Sequence, residues 1–363
     1  MMSKPVLVQL VQKMVVGGLE AMVMTLGDQL ERDYQVHYLS LEGDKQQLVA
    51  DWPVLGRLQR FETLAKPRGV SVSTVVALRQ WLRRHRVQYL HTHHVGPLLY
   101  GGAASVGLGI SHVHTHHDGW SLAMPRVKMM TRSALRLFAP ISVADAPLVA
   151  DQFRQAGCRI DCVVNNGIAM GRFTPGNSQR ARHHFGLPLD VDLVGTVCRL
   201  EKIKRVDRLI RALVALPERV HLVVAGEGSE RVSLEQLARQ LGVQQRCHFL
   251  GRVDDVHRLY RALNLFGLVS DNEGAPMSLL EAQACGVPVI ASDVGNCRHM
   301  VCTNMGRMVA LGAQSEVIDG IDQLLRRRDR HPAKLRQFVR QTGSDRVMAN
   351  HYHTLFQREL PCC

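Results

Sequence analysis

Short runs of β-branched and apolar residues alternate with helix-length amphipathic stretches along almost the whole chain, and this rhythm constrains the fold more than any other feature. The runs are Val6 to Val11, Val36 to Leu39, Tyr89 to His93, His112 to His116, Ile141 to Ala144 and Cys162 to Asn165. A polar stretch from Thr174 to Asp190 interrupts the pattern, which restarts with Leu193 to Cys198, His221 to Ala225, Cys247 to Leu250, Leu265 to Val269 and Val287 to Ala291. Strands joined by helix-length crossovers pair in parallel. We therefore expect an α/β protein with two Rossmann-like, doubly wound parallel-sheet domains, over 1–170 and 171–344, facing a cleft. Length and composition agree, because 363 residues exceed one ordinary core and 46% hydrophobic residues suffice for two. Ligands of open α/β sheets sit beyond the carboxyl ends of the strands, so function is sought in the loops that follow them.

Composition excludes several classes. Nine cysteines, an odd number without repeated C-x2-C pairs, argue against a disulfide framework or a structural zinc site. No run of 18 apolar residues occurs, and the start of the chain is too polar-interrupted for a signal peptide. The expected location is cytoplasmic, with peripheral attachment to the inner face of the cytoplasmic membrane as an option. The net charge is +13, of which the first 180 residues carry +8. Arg79, Arg83, Arg84 and Arg86 flank Trp81 and Leu82, while Arg126, Lys128, Arg132 and Arg136 interleave with Met129, Met130, Leu135, Leu137 and Phe138. Both stretches read as basic amphipathic helices, which serve either as solvated faces or as contacts for an anionic membrane surface. With 5% aromatic residues and no recognition motif, nucleic acid is not the expected partner.

The densest chemistry lies between Asn272 and Gly295, which reads as loop, helix, turn and buried strand. Glu273 and Glu281 stand eight residues apart, so one helix would point them about 80° apart. Placing Pro276 at the first helical position leaves Glu273 in the loop and puts Glu281 in the second helical turn. The unpaired N–H groups of Gly274, Ala275, Pro276, Met277 and Ser278, less the proline's missing one, would then face an anion or sugar hydroxyls. As a lone spacing, this is equally compatible with two solvated surface glutamates.

The full string, with Glu281-Ala282 before Gly286-Val287-Pro288-Val289-Ile290-Ala291-Ser292 and Val294-Gly295 after it, resembles the signature of family 4 of the retaining glycosyltransferases. The resemblance covers most of the chain and implies the GT-B fold, with the terminal helix, 345–363, packing back on the first domain. It extends to Gly17-Gly18-Leu19-Glu20, which is similar to a glycine-pair loop near the donor's phosphates. It reaches Arg199-Leu200 followed by Lys204, similar to the pair that grips the diphosphate. Gly226-Glu227-Gly228 and Phe249 to Val253, including Arg252, resemble loops near phosphate and base. His117-Asp118-Gly119 aligns with the family's histidine near the anomeric carbon, with His116 as the other choice. Two departures stand out: Ala169 replaces the aspartate after Asn166-Gly167-Ile168, and His299 occupies the place of a glutamate.

The resemblance implies a retaining, metal-independent hexosyltransferase that needs no cofactor. It would move a sugar from a nucleotide-diphosphate donor, most readily a UDP- or GDP-sugar, to a glycan or lipid-linked acceptor in polysaccharide or lipopolysaccharide biosynthesis. Implied catalytic residues are Glu273, His117, Arg199 and Lys204. Implied donor-binding residues are Gly17, Gly18, Arg199, Lys204, Arg252, Glu273, Gly274 to Ser278 and Glu281. Three alternatives stay open: a nucleotide-sugar epimerase of the same fold, a metal-binding protein using His91, His93, His94, His112, His114, His116 and His117, and a catalytically dead partner of another transferase, against which the intact Glu273, Arg199, Lys204 and Glu281 argue. Asp190-Val191-Asp192 precedes a strand rather than following one, so no metal is assigned to it.

Overall fold

The computed structural model describes residues 4–327 and 331–358. It divides into two compact units, one comprising residues 1–167 and 345–363 and the other residues 168–344. In the first unit the strands are β1 (Val6–Lys13), β2 (Gln35–Glu42), β3 (Phe61–Thr63), β4 (Tyr89–His93), β5 (Ser111–His116), β6 (Ile141–Ala144) and β7 (Cys162–Val163). They form one sheet in the order β3-β2-β1-β4-β5-β6-β7, with every neighbouring pair parallel. The second unit holds β8 (Asp192–Val197), β9 (Val220–Ala225), β10 (Cys247–Gly251), β11 (Leu265–Leu268), β12 (Val289–Ser292) and β13 (Arg307–Val309). Its order is β10-β9-β8-β11-β12-β13, again all parallel.

In both sheets the first strand of the unit lies in the middle, and the winding direction reverses beside it. That reversal sits between β1 and β4 in the first unit and between β8 and β11 in the second. Helices leave such a point on opposite faces, so the carboxyl ends of the two strands border an open crevice. Every strand expected from the sequence is present. β3 and β13, both at sheet edges, are additional strands of three residues.

The cores follow the strand pattern. In the second unit Leu193, Val223, Phe266, Val289 and Ala291 pack on one side of the sheet, while Val194, Leu222, Val224, Leu265 and Ile290 pack on the other. This is the period-2 alternation of a sheet covered on both faces. The terminal helix, Asp345–Phe356, belongs to the first unit, where Tyr352, Leu355 and Phe356 are buried and Tyr352 accepts or donates a 2.8 Å bond with Thr115 of β5. Residues 359–363 lie outside the described residues.

Candidate functional site

At the reversal point of the second unit, β8 runs into a loop carrying Arg199 and a short 3-10 turn, Lys202–Lys204, while β11 runs into the loop carrying Glu273. These two loops meet. Lys204 Nζ donates to both carboxylate oxygens of Glu273 at 2.8 Å, and Ser270 Oγ donates to Glu273 Oε1 at 2.6 Å. Glu273 is only 8% exposed, which rules out a solvated surface glutamate. An ammonium has three N–H groups, so two engage Glu273 and one remains for an anion. Arg199 is exposed, and its side chain makes no hydrogen bond or ion pair with the described residues. Two cations thus stand at the carboxyl end of β8, one anchored by a buried carboxylate and one uncommitted.

The loop of Arg199 is held by close backbone approach. Leu200 N–H donates to Glu227 O at 2.8 Å and Gly226 N–H to Gly251 O at 2.7 Å. Gly226, at φ +132°, could carry no Cβ without striking the Cys198 carbonyl oxygen, and a Cβ on Gly228 would strike that of Leu200. Gly295, at φ +55°, backs the Glu273 carbonyl in the same way, while Asn296 N–H donates to Gly274 O at 3.0 Å. These glycines let neighbouring loops seat the functional segment without a gap.

The helix after Glu273 begins at Met277, not at Pro276. Pro276 is its N-cap, with extended ψ of 101°, because the chain still has to climb from the Gly274–Ala275 turn before its dihedrals become helical. Glu281 lies in the second turn as expected. Its Oε2 accepts from Tyr260 Oη at 2.8 Å, and Oε1 has no protein donor among the described residues. The residue is part-exposed, but its carboxyl head is enclosed, and burial pushes its pKa up to about 7 from the ordinary 4.5. Burial beside that carboxyl also drives the Tyr260 phenol well above its usual value. Arg252 sits on an exposed loop and pairs with Asp254 at 3.1 Å.

In the first unit, Gly17 caps the helix Gly18–Leu30 beyond β1, and a Cβ on Gly18 would meet open space. The histidines lie along β4 and β5, from His112 near the start of β5 to His94 and His117 just after the two strands. His112 and His114 share Thr92 Oγ1 at 2.9 Å each, His91 bonds Thr115 at 2.8 Å, and His116 bonds Ser142 at 3.0 Å. Burial holds all of them well below the ordinary imidazole value, His112 and His116 at about 3. They are neutral members of the sheet interior. Among the described residues, no three His, Cys, Asp or Glu side chains converge as metal ligands.

His117 has different neighbours. Its Nδ1 lies 3.2 Å from Asp145 Oδ2, and its Nε2 lies 3.0 Å from His93 Nδ1. His93 Nε2 in turn bonds Gln9 Oε1 at 2.9 Å, and Asn166 Nδ2 donates to Asp145 Oδ2 at 2.9 Å. Gln9, His93, His117, Asp145 and Asn166 come from β1, β4 and the loops after β5, β6 and β7, which are consecutive in the sheet. Both ring nitrogens of His117 are therefore spent on protein.

The structure brings Lys204, Glu273 and the Gly274–Ser278 loop together, with Arg199 at the mouth of the same crevice and Glu281 one helical turn further on. Gly17, Gly18 and His117 belong to the other unit. Ser270 and Tyr260, which fix the two glutamates, were not expected. Ser270 stands within the β11 loop three residues before Glu273 and could have been suspected. Tyr260 lies 21 residues before Glu281 in another helix, Val256–Ala262, and no local pattern marks it.

Comparison with known proteins agrees with this arrangement. A family profile described as Glycosyl transferases group 1 matches residues 177–342, and one described as Glycosyltransferase Family 4 matches residues 16–172. The D-inositol 3-phosphate glycosyltransferase of Mycolicibacterium smegmatis is 35% identical over 184 residues, 49% of this chain and 42% of the relative. That of Mycolicibacterium gilvum is 40% identical over 144 residues, 38% of this chain and 32% of the relative. The matched stretch thus spans less than half the length of these curated relatives. Among solved structures, Anabaena HepE in complex with UDP and glucose superposes with a TM-score of 0.80 at 21% identity, covering 97% of this chain and 99% of that one. Sucrose-phosphate synthase from Thermosynechococcus elongatus gives 0.81 at 20% identity, covering 97% and 98%. At these identities the superpositions speak for the fold. With the two profiles spanning nearly the whole chain on two doubly wound sheets, the protein belongs to the group 1, family 4 glycosyltransferases of the GT-B class.

Proposed function

We propose that this chain is a retaining glycosyltransferase that moves a hexose from a nucleotide-diphosphate sugar to a glycan or lipid-linked acceptor, in the building of a cell-surface polysaccharide or lipopolysaccharide. The observation that carries the reading is the Lys204–Glu273–Ser270 unit at the reversal point of the second sheet, with Arg199 uncommitted beside it. Charge develops on the departing diphosphate as the glycosidic bond breaks, and prepositioned cations stabilise it most where they cost no reorganisation. Lys204 keeps one N–H for a phosphate oxygen, and Arg199 offers a planar fork. Glu273, held from two sides, faces the sugar and steadies positive character at its anomeric carbon. The Gly274–Ser278 loop and the helix start behind it hold the phosphates, Arg252 adding to the donor's contacts, and Glu281 accepts from the ribose hydroxyls through its free oxygen. Two cations at the leaving group make a metal unnecessary.

The donor class has support from HepE, whose solved complexes hold UDP, glucose and UDP-glucose. The relatives named for inositol 3-phosphate add a phosphorylated polyol to the acceptors worth offering. Peripheral contact with an anionic membrane is supported by the helix Pro125–Phe138, where Met129, Met130 and Leu137 are exposed beside Arg126 and Arg136. Among the described residues, no helix is long and apolar enough to cross a membrane.

The test is thermal shift with UDP, GDP and ADP and their sugars, followed by transfer assays with the donor that binds. Glu273→Gln should keep the nucleotide shift and lose transfer by at least about 100-fold, as expected for a group acting mainly in the transition state. Loss of the nucleotide shift in this variant would assign Glu273 to binding instead. Activity abolished by EDTA and restored by manganese would overturn the metal-free mechanism, and donor whose sugar is epimerised without acceptor, rather than merely hydrolysed, would favour an epimerase.

A further inference from the structure

β13 lies at one edge of the second sheet, and its amino end is at the opposite end of that sheet from the crevice beyond β8 and β11. A cavity of about 580 Å³ opens there, between the turn leading into the strand and the last turn of the helix Gln314–Arg326. The turn supplies Thr303 and Asn304, the strand supplies Arg307, and the helix end supplies Gln323, Arg326 and the following Arg327. Such a volume suits a small molecule. Among the described residues, the lining carries three guanidiniums, no carboxylate and one apolar side chain, Leu324.

Two of the three cations are held by neutral acceptors. Arg307 donates to the side-chain oxygen of Gln323, and Arg327 Nη1 donates to the Asn304 carbonyl oxygen at 2.8 Å. Arg326 instead faces Asp322, its Nε lying 2.8 Å from Oδ2 and 2.9 Å from Oδ1. The stem of Arg307 is seated on the helix at Gly320, where a Cβ would come within 2.6 Å of Ile290 Cδ1 and 3.1 Å of Arg307 Cδ. Glycine is unfavourable inside a helix, and here it makes room for both side chains. A basic last turn complements a helix dipole, which accounts for Arg326. It does not account for Arg307, which comes from the strand, nor for Arg327, which reaches across to the turn. The helix end contributes only about half a negative charge, so with Asp322 counted the cluster stays positive.

Planar guanidiniums bind phosphate oxygens through paired N–H groups. The cavity is much larger than one phosphate group, and the hydroxyl of Thr303 and the amide of Asn304 are suited to hydroxyls. An aromatic base would find no ring and little apolar wall here. We propose that this cavity is a second anion site, separate from the crevice of Lys204 and Glu273, that takes a sugar phosphate: the phosphate on Arg307, Arg326 and Arg327, the sugar hydroxyls on Thr303 and Asn304. It stands independently of the transfer reaction.

Calorimetric titration of the full chain at low ionic strength tests it, with glucose 6-phosphate, inorganic phosphate and glucose as probes. Glucose 6-phosphate should bind, inorganic phosphate should bind more weakly, and glucose should not bind. Arg307→Met keeps the stem and removes the charge, while Arg326→Ala and Arg327→Ala trim exposed side chains. Each should weaken glucose 6-phosphate by roughly 10- to 100-fold, the loss of hydrogen bonds to a charged group, and melt within about 2 °C of wild type without ligand. Arg307→Lys, which keeps the charge but not the fork, should fall between wild type and Arg307→Met. The Arg199→Ala, Lys204→Ala double variant should bind glucose 6-phosphate as wild type does. Binding that survives the three arginine variants and is lost in this double variant would place the anion in the crevice and overturn the second site. Equal affinity for inorganic phosphate and glucose 6-phosphate would overturn the sugar phosphate, and no binding of either would overturn the proposal as a whole.

Discussion

The lysine and the glutamate implied separately for the diphosphate and for the sugar are one ion pair. Lys204 spends two of three protons on Glu273, whose side chain is 7% exposed. Removing either partner leaves a charge in a dry site, at a cost of roughly 2–4 kcal/mol, below the fully buried case because Lys204 keeps some solvent and Ser270 remains. Lys204→Ala and Glu273→Ala should therefore each lower the melting temperature, and the double variant should be no less stable than the worse single one. A double-mutant cycle by chemical denaturation reads this coupling. Additive losses would mean that the pair does not form in solution. Ser270→Ala is the milder probe: it removes one of Glu273's three bonds and should slow transfer more than it weakens nucleotide binding, because it loosens the carboxylate without removing its charge.

At the scale of elements, the helix Met277–Ala284 carries Glu281 into the unit beside Tyr260. Its raised pKa sets the sign of two effects. A carboxyl that ionises at about 7 in the fold and at about 4.5 in the unfolded chain favours folding most when protonated. Its contribution is full below about pH 4.5 and is lost as pH rises through 7. Glu281→Gln should thus be more stable than wild type at pH 8 and similar to it at pH 5. Ribose hydroxyls donate more strongly to the ionised form, so nucleotide affinity should rise from pH 6 to pH 8 with proton release on binding. Calorimetry in buffers of different ionisation enthalpy measures that release. The glutamine variant should bind about 10- to 100-fold more weakly at pH 8, the loss of hydrogen bonds to a charged acceptor, and lose the pH dependence. Binding that is flat in pH for wild type would show that Glu281 does not titrate with the ligand.

The same scale shows what could be read from the chain. Eleven strands announced themselves as β-branched runs, because strands buried on both faces are apolar throughout. β3 and β13 are three residues long at sheet edges, where neither length nor alternation leaves a signal. Pro276 stands one position before the first helical residue that the sequence suggests for it, since proline's fixed φ suits an N-cap as well as the first turn. The cations and glutamates of the site were legible because they follow strand ends in sequence. Their supports, Tyr260 for Glu281 and Asp145 with His93 for His117, come from other strands and helices, so only the folded sheet brings them near. The histidine runs resemble metal ligands for the same reason: alternation marks one face of a strand without revealing that Thr92, Thr115 and Ser142 already engage His91, His112, His114 and His116.

For the whole molecule, the charge of +13 is a bulk property until it is located. The two basic stretches do not contribute equally. Arg79 donates to the carbonyls of Ala104 at 3.0 Å and Val106 at 2.6 Å, and Trp81 donates to Glu62 at 3.0 Å, so the helix Val72–Arg84 uses these two side chains to hold its own unit together. The helix Pro125–Phe138 instead buries only Thr131, Ala134 and Leu135, and turns Arg126, Met129, Met130 and Arg136 outward with Leu137, which is 76% exposed. Positions 126, 129, 130, 133 and 137 lie three and four apart and fall on one face. Exposed apolar side chains between cations lose water to acyl chains while the cations meet anionic headgroups, each worth about 1 kcal/mol near the surface. The chain should therefore co-sediment with vesicles containing phosphatidylglycerol, bind neutral phosphatidylcholine vesicles far less, and be released as ionic strength rises past about 0.5 M, where screening is short-ranged. Replacing Arg126, Lys128 and Arg136 together by alanine should weaken partitioning by roughly 100-fold, while Met129→Ser with Leu137→Ser should weaken it without changing its salt dependence. Neither change touches the second unit, so the nucleotide thermal shift should be that of wild type. Equal binding to neutral and anionic vesicles, or none at low salt, would leave this face as ordinary solvated surface.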